Sequence, residues 1–259
     1  MTTARLDGTR LAGTQLDGQV AWITGAGSGI GEAAALALAE AGATVYLSGR
    51  RADALDAVAS RIRDAGGQAL VALLDVADKA AVREVADAIL QAQGRIDILV
   101  NSAGLNVPNR SWESVDTDGW DQVIRVDLDG AFYCTHAVLP AMRKAGGGLV
   151  INVSSWAGRY DVRLTGPAYN AAKHAMLAMN ASLNLEEGQH GIRACAICPG
   201  EVNTAILDRR PVPVTTEDRA RMLQSDDLGA TIRFVATMPP HVCLNEILIS
   251  PTWNRLNIV

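Results

Sequence analysis

The sequence predicts an α/β fold, a doubly wound parallel sheet in one domain, and three observations carry that reading. Short apolar segments alternate with helical ones along most of the 259 residues, with short joints between them. The apolar segments are apolar almost continuously, as strands are when helices cover both faces of their sheet. The first of them leads into a glycine-rich turn that opens a helix, Thr24-Gly25-Ala26-Gly27-Ser28-Gly29-Ile30-Gly31.

That first strand is Val20-Ala21-Trp22-Ile23. The glycines after it permit a tight turn, a close approach of backbone to ligand, and a helix seated hard against the strand. Free N–H groups and the helix dipole then make Gly25, Gly27, Ser28, Gly29, Ile30 and Gly31 a candidate seat for a diphosphate, the alternative being a purely structural turn. No Gly-Lys-Ser/Thr follows, so the turn is not a Walker loop.

A helix over Glu32–Glu40 stops at Gly42, and Thr44–Gly49 reads as the second strand. Arg51–Ala65 is an amphipathic helix ending at Gly66-Gly67, followed by a third strand Ala69–Leu74 that closes on Asp75. Lys79–Gln93 is helical up to Gly94, and Ile96–Val100 is the fourth strand. The later half repeats the rhythm: a helix around Trp120–Lys144, a strand Leu149–Val153, a helix around Tyr169–Gly188 and a strand Arg193–Cys198. Glu201–Ser225 breaks it with weak periodicity and Arg209-Arg210-Pro211-Val212-Pro213, the kind of long connection at a strand's carboxyl end that builds ligand pockets. A helix Asp227–Thr237 and a strand Asn245–Ser250 finish the chain. Residues 1–18 read as a flexible or loosely packed lead-in, and 19–259 as the domain.

Composition narrows the function. A hydrophobic share of 49% with only 4% aromatic residues suits a core of Val, Ile, Leu and Ala. The net charge of -5 and the lack of a Lys/Arg block argue against a nucleic-acid partner. No apolar run approaches the ~18 residues of a membrane span, and the lead-in lacks the apolar centre of a signal peptide, so a cytoplasmic location is expected. Cys195-Ala196-Ile197-Cys198 has the spacing of a redox pair or half a zinc site, yet it lies in a strand run with no second pair. Core cysteines, and no metal site, are the expectation.

Two further places bear on chemistry. Gly49-Arg50-Arg51 follows the second strand, where an acidic residue would accept from a free ribose 2′-hydroxyl and repel a 2′-phosphate. A guanidinium there forks onto a phosphate instead, so Arg50, and with it Arg51, points to NADP, although solvent charge at a helix start is the alternative. Asp75 is placed to accept from an adenine amino group, and Asn101-Ser102-Ala103-Gly104 to line the cofactor cleft. Further on, Tyr169 and Lys173 are one helical turn apart on one face. A phenol, with an ordinary pKa of about 10, becomes a proton donor and acceptor near neutrality when a cation stabilises its phenolate. Ser155, at the end of the preceding strand region, is placed to donate to a substrate oxygen.

These residues together closely resemble the classical short-chain dehydrogenase/reductase family, from Leu16 onward. The glycine turn looks like its cofactor motif, Asp75-Val76 like its adenine contact, and Asn101-Ser102-Ala103-Gly104 like its Asn-Asn-Ala-Gly motif. Ser155, Tyr169 and Lys173 match its catalytic residues, and Pro199-Gly200-Glu201-Val202-Asn203-Thr204 matches the segment that closes over the nicotinamide. The resemblance implies a Rossmann fold, NAD(P)-dependent interconversion of an alcohol and a carbonyl, and a homodimer or homotetramer. It implies cofactor contacts at Asn101, Ala103, Gly104, Pro199, Gly200, Val202 and Thr204. The Pro239-Pro240-His241…Asn245-Glu246-Ile247…Pro251-Thr252 ending resembles that of NADP-dependent members. One departure stands out. The family's fourth catalytic residue is an asparagine, and here Val126-Asp127-Leu128-Asp129-Gly130 supplies Asp127, which accepts hydrogen bonds but has no amide N–H to give.

The leading expectation is therefore an NADP(H)-dependent oxidoreductase acting on a small-molecule alcohol or carbonyl. An NAD-dependent alcohol dehydrogenase and a dinucleotide-binding regulatory protein with little turnover are the alternatives. Asn106, Arg110, Trp112, Trp156, Arg159, Arg163, Arg209 and Arg210 are the candidates to face the substrate pocket.

Overall fold

The computed structural model describes residues 16–210 and 212–255. The chain builds β1 (Val20–Thr24), α1 (Gly29–Glu40), β2 (Thr44–Gly49), α2 (Ala52–Asp64), β3 (Gln68–Leu73), α3 (Lys79–Gln93) and β4 (Ile98–Asn101). It continues through α4 (Thr117–Ile124), α5 (Gly130–Ala145), β5 (Gly148–Val153), α6 (Gly166–Glu187), β6 (Ile192–Pro199), α7 (Thr216–Arg221), α8 (Ser225–Ala236) and β7 (Glu246–Ile249). Among the described residues seven strands pair in parallel in the order β3-β2-β1-β4-β5-β6-β7. The order reverses between β1 and β4, which pair Ala21 with Ile98 and Ile23 with Val100. A crevice opens beyond the carboxyl ends of the strands at such a reversal, and parallel α/β sheets bind ligands there.

Alternation along the strands divides the core into two layers. Ala21 and Ile23 of β1 join Val45 and Leu47 on one face, under α1, α2 and α8. Val20 and Trp22 join Tyr46, Leu99 and Val150 on the other, under α3 and α5. The sheet therefore carries helices on both sides, as its near-continuous apolar strands require. Trp22 keeps its indole N–H satisfied in the dry interior by donating to Ser48 Oγ at 2.9 Å, and Ser48 donates in turn to Ala72 O at 2.8 Å.

Three boundaries differ from expectation. Leu16, grouped with the lead-in, is fully buried and donates its N–H to Ala41 O at 2.8 Å, while residues 1–15 lie outside the described ones. The helix expected over Trp120–Lys144 is two helices joined by a π-helical turn, Arg125–Asp129. Such turns admit one extra residue and re-aim a side chain, often at functional sites. The connection expected to be irregular over 201–225 contains a 3-10 turn, Ala205–Arg209, and α7.

Candidate active site

The turn after β1 is where backbone conformation matters most. Gly25 is left-handed at φ 66°, and a Cβ on it would stand 2.8 Å from Ser102 O. A Cβ on Gly31 would run into the Gly25 carbonyl. Side chains at either place would push the turn off the end of β4 or lift α1 from the turn. Thr24 Oγ1 closes the crevice floor by accepting from the N–H groups of Ser102 and Ala103, at 3.1 and 3.2 Å. Ser28 is the N-cap of α1 in an extended conformation and makes no side-chain cap to the helix. The polar first turn of α1 thus lines an open cavity of about 450 Å³. Arg50 and Arg51, at the carboxyl end of β2, line the same cavity. Arg51 donates to Ser28 Oγ at 3.1 Å, and Arg50 lies 3.8 Å from the Asp75 carboxylate. Glycine backbone, a helix start and two guanidinium groups in one cleft fit a dinucleotide phosphate chain.

The cavity's other end is built on α6. Tyr169 is half-buried against Leu105, Val123, Ala168 and Ala172. Lys173, one turn on, has its Nζ 5.4 Å from the centre of the Tyr169 ring. The Lys173 ammonium donates to Val153 O at 3.2 Å and lies 3.2 Å from Asp127 Oδ2. Asp127 is fully buried, and its Oδ1 accepts from the Leu105 N–H at 2.8 Å. The π-helical turn is what carries this carboxylate inward to α6. Ser155 caps the 3-10 turn Trp156–Gly158, its Oγ accepting from Ala157 N at 3.1 Å, which leaves the hydroxyl proton to give. Ser154 ties the segment to α6 by donating to Lys173 O at 3.0 Å.

Electrostatics couples these groups. Burial raises the Tyr169 phenol; Lys173 lowers it, Asp127 raises it, and the Ser155 hydrogen bond and Arg110 lower it. The net direction is upward, against the lowering expected from Lys173 alone, because burial and the Asp127 charge together prevail. Burial works to lower the Lys173 ammonium but is outweighed by Asp127 and Tyr169, so Lys173 is raised. Burial likewise raises Asp127, against the pull of Lys173 and the Leu105 N–H. The two titrate as one pair, and an N–H on one oxygen with an ammonium by the other is a setting built for the carboxylate.

The segment after β6 walls the cavity with Pro199, Gly200, Val202 and Thr204. It is held at both sides: Gly200 donates to Ile249 O at 2.7 Å, and Asn203 to Leu223 O at 2.8 Å. The cavity thus gathers most of the expected site residues: Gly25, Gly27, Ser28, Gly29, Ile30, Arg50, Arg51, Gly104, Asp127, Ser155, Tyr169, Lys173 and this segment. Five others do not line it. Gly31 faces its own turn, and Asp75 lies outside the lining beside Arg50. Val76 packs over Gly130, which seats the start of α5. Ala103 meets the glycine turn through its backbone. Asn101 turns away into a buried chain of amides: its Nδ2 donates to Asn152 Oδ1 at 2.9 Å, and Asn152 Nδ2 donates to Asn180 Oδ1 at 3.0 Å. It binds β4 to β5 and α6 instead of lining the cleft.

Of the candidate pocket residues, Asn106, Arg110, Trp156 and Arg210 line the cavity. Trp112 is 84% exposed, Arg159 pairs with Glu246, Arg163 is exposed, and the Arg209 side chain lies outside the described residues. Glu201 adds a charge to the cavity wall that its sequence neighbours do not announce. It is buried, accepting from Arg210 at 2.7 Å and from Arg255 at 2.8 Å, and nothing local announces a partner near the end of the chain. Burial opposes its charge, but the two guanidinium hydrogen bonds prevail and hold Glu201 below the usual carboxylate range. Cys195 and Cys198 are core residues of β6, with thiols pushed up to about 12 and about 11, chiefly by burial.

Comparison with known proteins agrees with this geometry. Residues 19–212 match the short chain dehydrogenase family model. An uncharacterized oxidoreductase of Staphylococcus aureus strain N315 is 35% identical over 238 residues, 92% of this chain and 99% of the relative. The crystal structure of a metagenomic short-chain oxidoreductase in complex with NADP superposes with a TM-score of 0.80 at 33% identity, covering 92% of this chain and 99% of that one. An alcohol dehydrogenase of the archaeon Thermococcus sibiricus, complexed with 5-hydroxy-NADP, gives a TM-score of 0.83 at 26% identity over 92% and 98%. With the parallel sheet, the glycine turn at its reversal and matches that run nearly end to end, the chain belongs to the short-chain dehydrogenase/reductase family of Rossmann-fold oxidoreductases.

Proposed function

We propose that this protein is an NADP(H)-dependent oxidoreductase that interconverts a secondary alcohol and a carbonyl, with Tyr169 as the acid and base. The observation that carries the reading is one cavity with Arg50, Arg51 and the α1 turn at one end and Tyr169, Lys173 and Ser155 at the other. When bound, the nicotinamide supplies or accepts the hydride. In reduction, Ser155 polarises the carbonyl by donating a hydrogen bond to its oxygen, and Tyr169 transfers the one proton that oxygen takes up as charge develops on it. Lys173 steadies the phenolate left behind, and Asp127 and Val153 O hold Lys173 in place. A phenol raised by burial and by Asp127 keeps its proton at neutral pH, which favours carbonyl reduction there and alcohol oxidation on the alkaline side.

NADP is preferred to NAD in this reading because Gly49 and Arg50 stand where an acidic residue would repel a 2′-phosphate. The NADP complex of the metagenomic relative supports it. Binding titrations with both cofactors test it: NADPH binds more tightly than NADH, and Arg50→Ala weakens NADPH alone, by about tenfold for one charge-assisted contact. Equal affinities, or a variant that weakens both alike, would overturn the preference.

A homodimer or homotetramer in the cytoplasm completes the proposal. Phe132 on α5 and Phe234 on α8 are about half exposed, apolar surface that a partner copy would cover. The described cysteines are all free, in keeping with a reducing compartment.

A further inference from the structure

We propose that Arg255, beyond β7, is a positioning residue for the active-site wall: it clamps Glu201 and so holds residues 199–204 ready for the cofactor. This rests on the oxidoreductase reading and adds to it a residue outside the cavity that governs cofactor affinity. Pro199, Gly200, Glu201, Val202 and Thr204 line the cavity, and Arg255 does not.

The clamp is a fork with one further bond. Arg255 donates through Nε to Glu201 Oε2 and through Nη2 to Glu201 Oε1, each at 2.8 Å. Its remaining nitrogen, Nη1, donates to Asp218 Oδ2 of α7 at 2.9 Å. From the cavity side Arg210 donates to Glu201 Oε1 at 2.7 Å. Two guanidinium groups and two carboxylates thus offset one another, and the buried Glu201 has a partner on each oxygen. The planar guanidinium suits this place because it meets both oxygens of one carboxylate at once, where a lysine ammonium is a single point charge.

The backbone of the wall is held between the same tail and α7. Gly200 donates to Ile249 O at 2.7 Å, and a Cβ on Gly200 would meet Pro251 and Ser250 at 3.2 Å. On the other side Leu223 donates to Glu201 O at 3.0 Å, and Asn203 donates to Leu223 O at 2.8 Å. Trp253 of the tail packs on α7, its ring centre 5.9 Å from the Arg221 guanidinium. The far end of the wall reaches the glycine turn, where a Cβ on Gly29 would stand 3.1 Å from Thr204 Cγ2. One short segment therefore joins the clamp to the seat proposed for the diphosphate. A wall already in its binding position spares the cofactor the cost of ordering it. Without the clamp only the molecules whose wall is in place bind, and apparent affinity falls by that fraction. Bound cofactor then returns the wall to its position.

The test compares the full chain with Arg255→Met, Arg255→Lys and Asp218→Asn. NADPH affinity is read by nicotinamide fluorescence, and local opening by hydrogen exchange at the amides of Gly200, Asn203 and Leu223. Arg255→Met raises the NADPH Kd by about tenfold, the scale of one charge-assisted contact, and speeds exchange at the three amides by a similar factor. Saturating NADPH brings that exchange back to the rate of the unaltered chain, and Arg255→Lys recovers part of the affinity. Asp218→Asn, which keeps the fork on Glu201, shifts both quantities by about threefold. If Arg255→Met does not fold, the other two variants decide through these smaller shifts. An unchanged Kd in the folded variants, with or without a fall in unfolding temperature, would overturn the proposal. So would affinity lost without faster exchange at the three amides. Carbonyl turnover with a Kd that Arg255 does not influence removes the clamp alone. NADPH binding that Arg255→Met weakens, in a chain that turns over no carbonyl, supports the clamp and removes the oxidoreductase reading.

Discussion

Tyr169→Phe abolishes nearly all turnover while leaving cofactor affinity close to that of the unaltered chain. The substitution removes one hydroxyl and keeps the ring that packs against Leu105, Val123, Ala168 and Ala172, so the helix and the cavity wall persist. What disappears is the proton that the developing alkoxide must receive. Ser155 does not replace it: an aliphatic hydroxyl is a far weaker acid than a phenol, and its oxygen already accepts from the Ala157 N–H. Lys173 does not replace it either, because its ammonium is held by Asp127 and Val153 O. Loss of a positioned general acid costs about 100-fold or more in rate. Single-turnover oxidation of NADPH, beside a binding titration, measures both quantities. Activity retained above about one per cent would mean that another group is the acid.

Asp127 carries the second large effect, and its two substitutions separate charge from packing. Asp127→Asn keeps an oxygen for the Leu105 N–H but removes the negative charge that raises the Tyr169 phenol. With that charge gone the phenolate is easier to form, so the phenol titrates at lower pH. Alcohol oxidation, which needs the phenolate, then gains rate at lower pH than in the unaltered chain. Carbonyl reduction, which needs the phenol, falls off at lower pH as well. The phenolate itself helps keep Lys173 charged, so the shift stays downward despite the lost partner. Asp127→Ala goes further. It leaves the buried Lys173 ammonium without its counter-charge and the buried Leu105 N–H without its acceptor, at about 3–5 kcal/mol of stability, and costs about tenfold or more in rate. Hydride transfer followed across pH, beside thermal unfolding, distinguishes the two. An Asn variant whose profile does not move, or moves to higher pH, would show that Asp127 does not act on Tyr169.

Much of this was legible in the residues, and where it was not, the cause was contact between distant segments. The α3 boundaries follow from local chemistry: Asp78 accepts from the N–H groups of Ala80 and Ala81, and Gly94 ends the helix in a left-handed conformation. The glycine turn was equally plain, since the strand before it and the helix after it give the turn its context. The break in the helix before Gly130 was not plain. Residues 125–129 contain no proline or glycine, and it is Leu105 and Lys173 that meet Asp127 in the π-helical turn. Asn101 misled for the same reason: a polar residue at a strand end points to a cleft unless a second asparagine, here Asn152, waits on the next strand. The upward shift of Tyr169 needed burial to be known, which spacing along a helix does not supply.

The most direct test of the central claim is NADPH oxidation by the unaltered protein with a panel of small ketones and oxo acids, alongside NADPH binding. The account predicts substrate-dependent oxidation that Tyr169→Phe removes, with binding unaffected by that change. Tight NADPH binding with no turnover on any carbonyl, and none in reverse with the matching alcohols and NADP, would contradict it and leave a dinucleotide-binding protein in place of an enzyme.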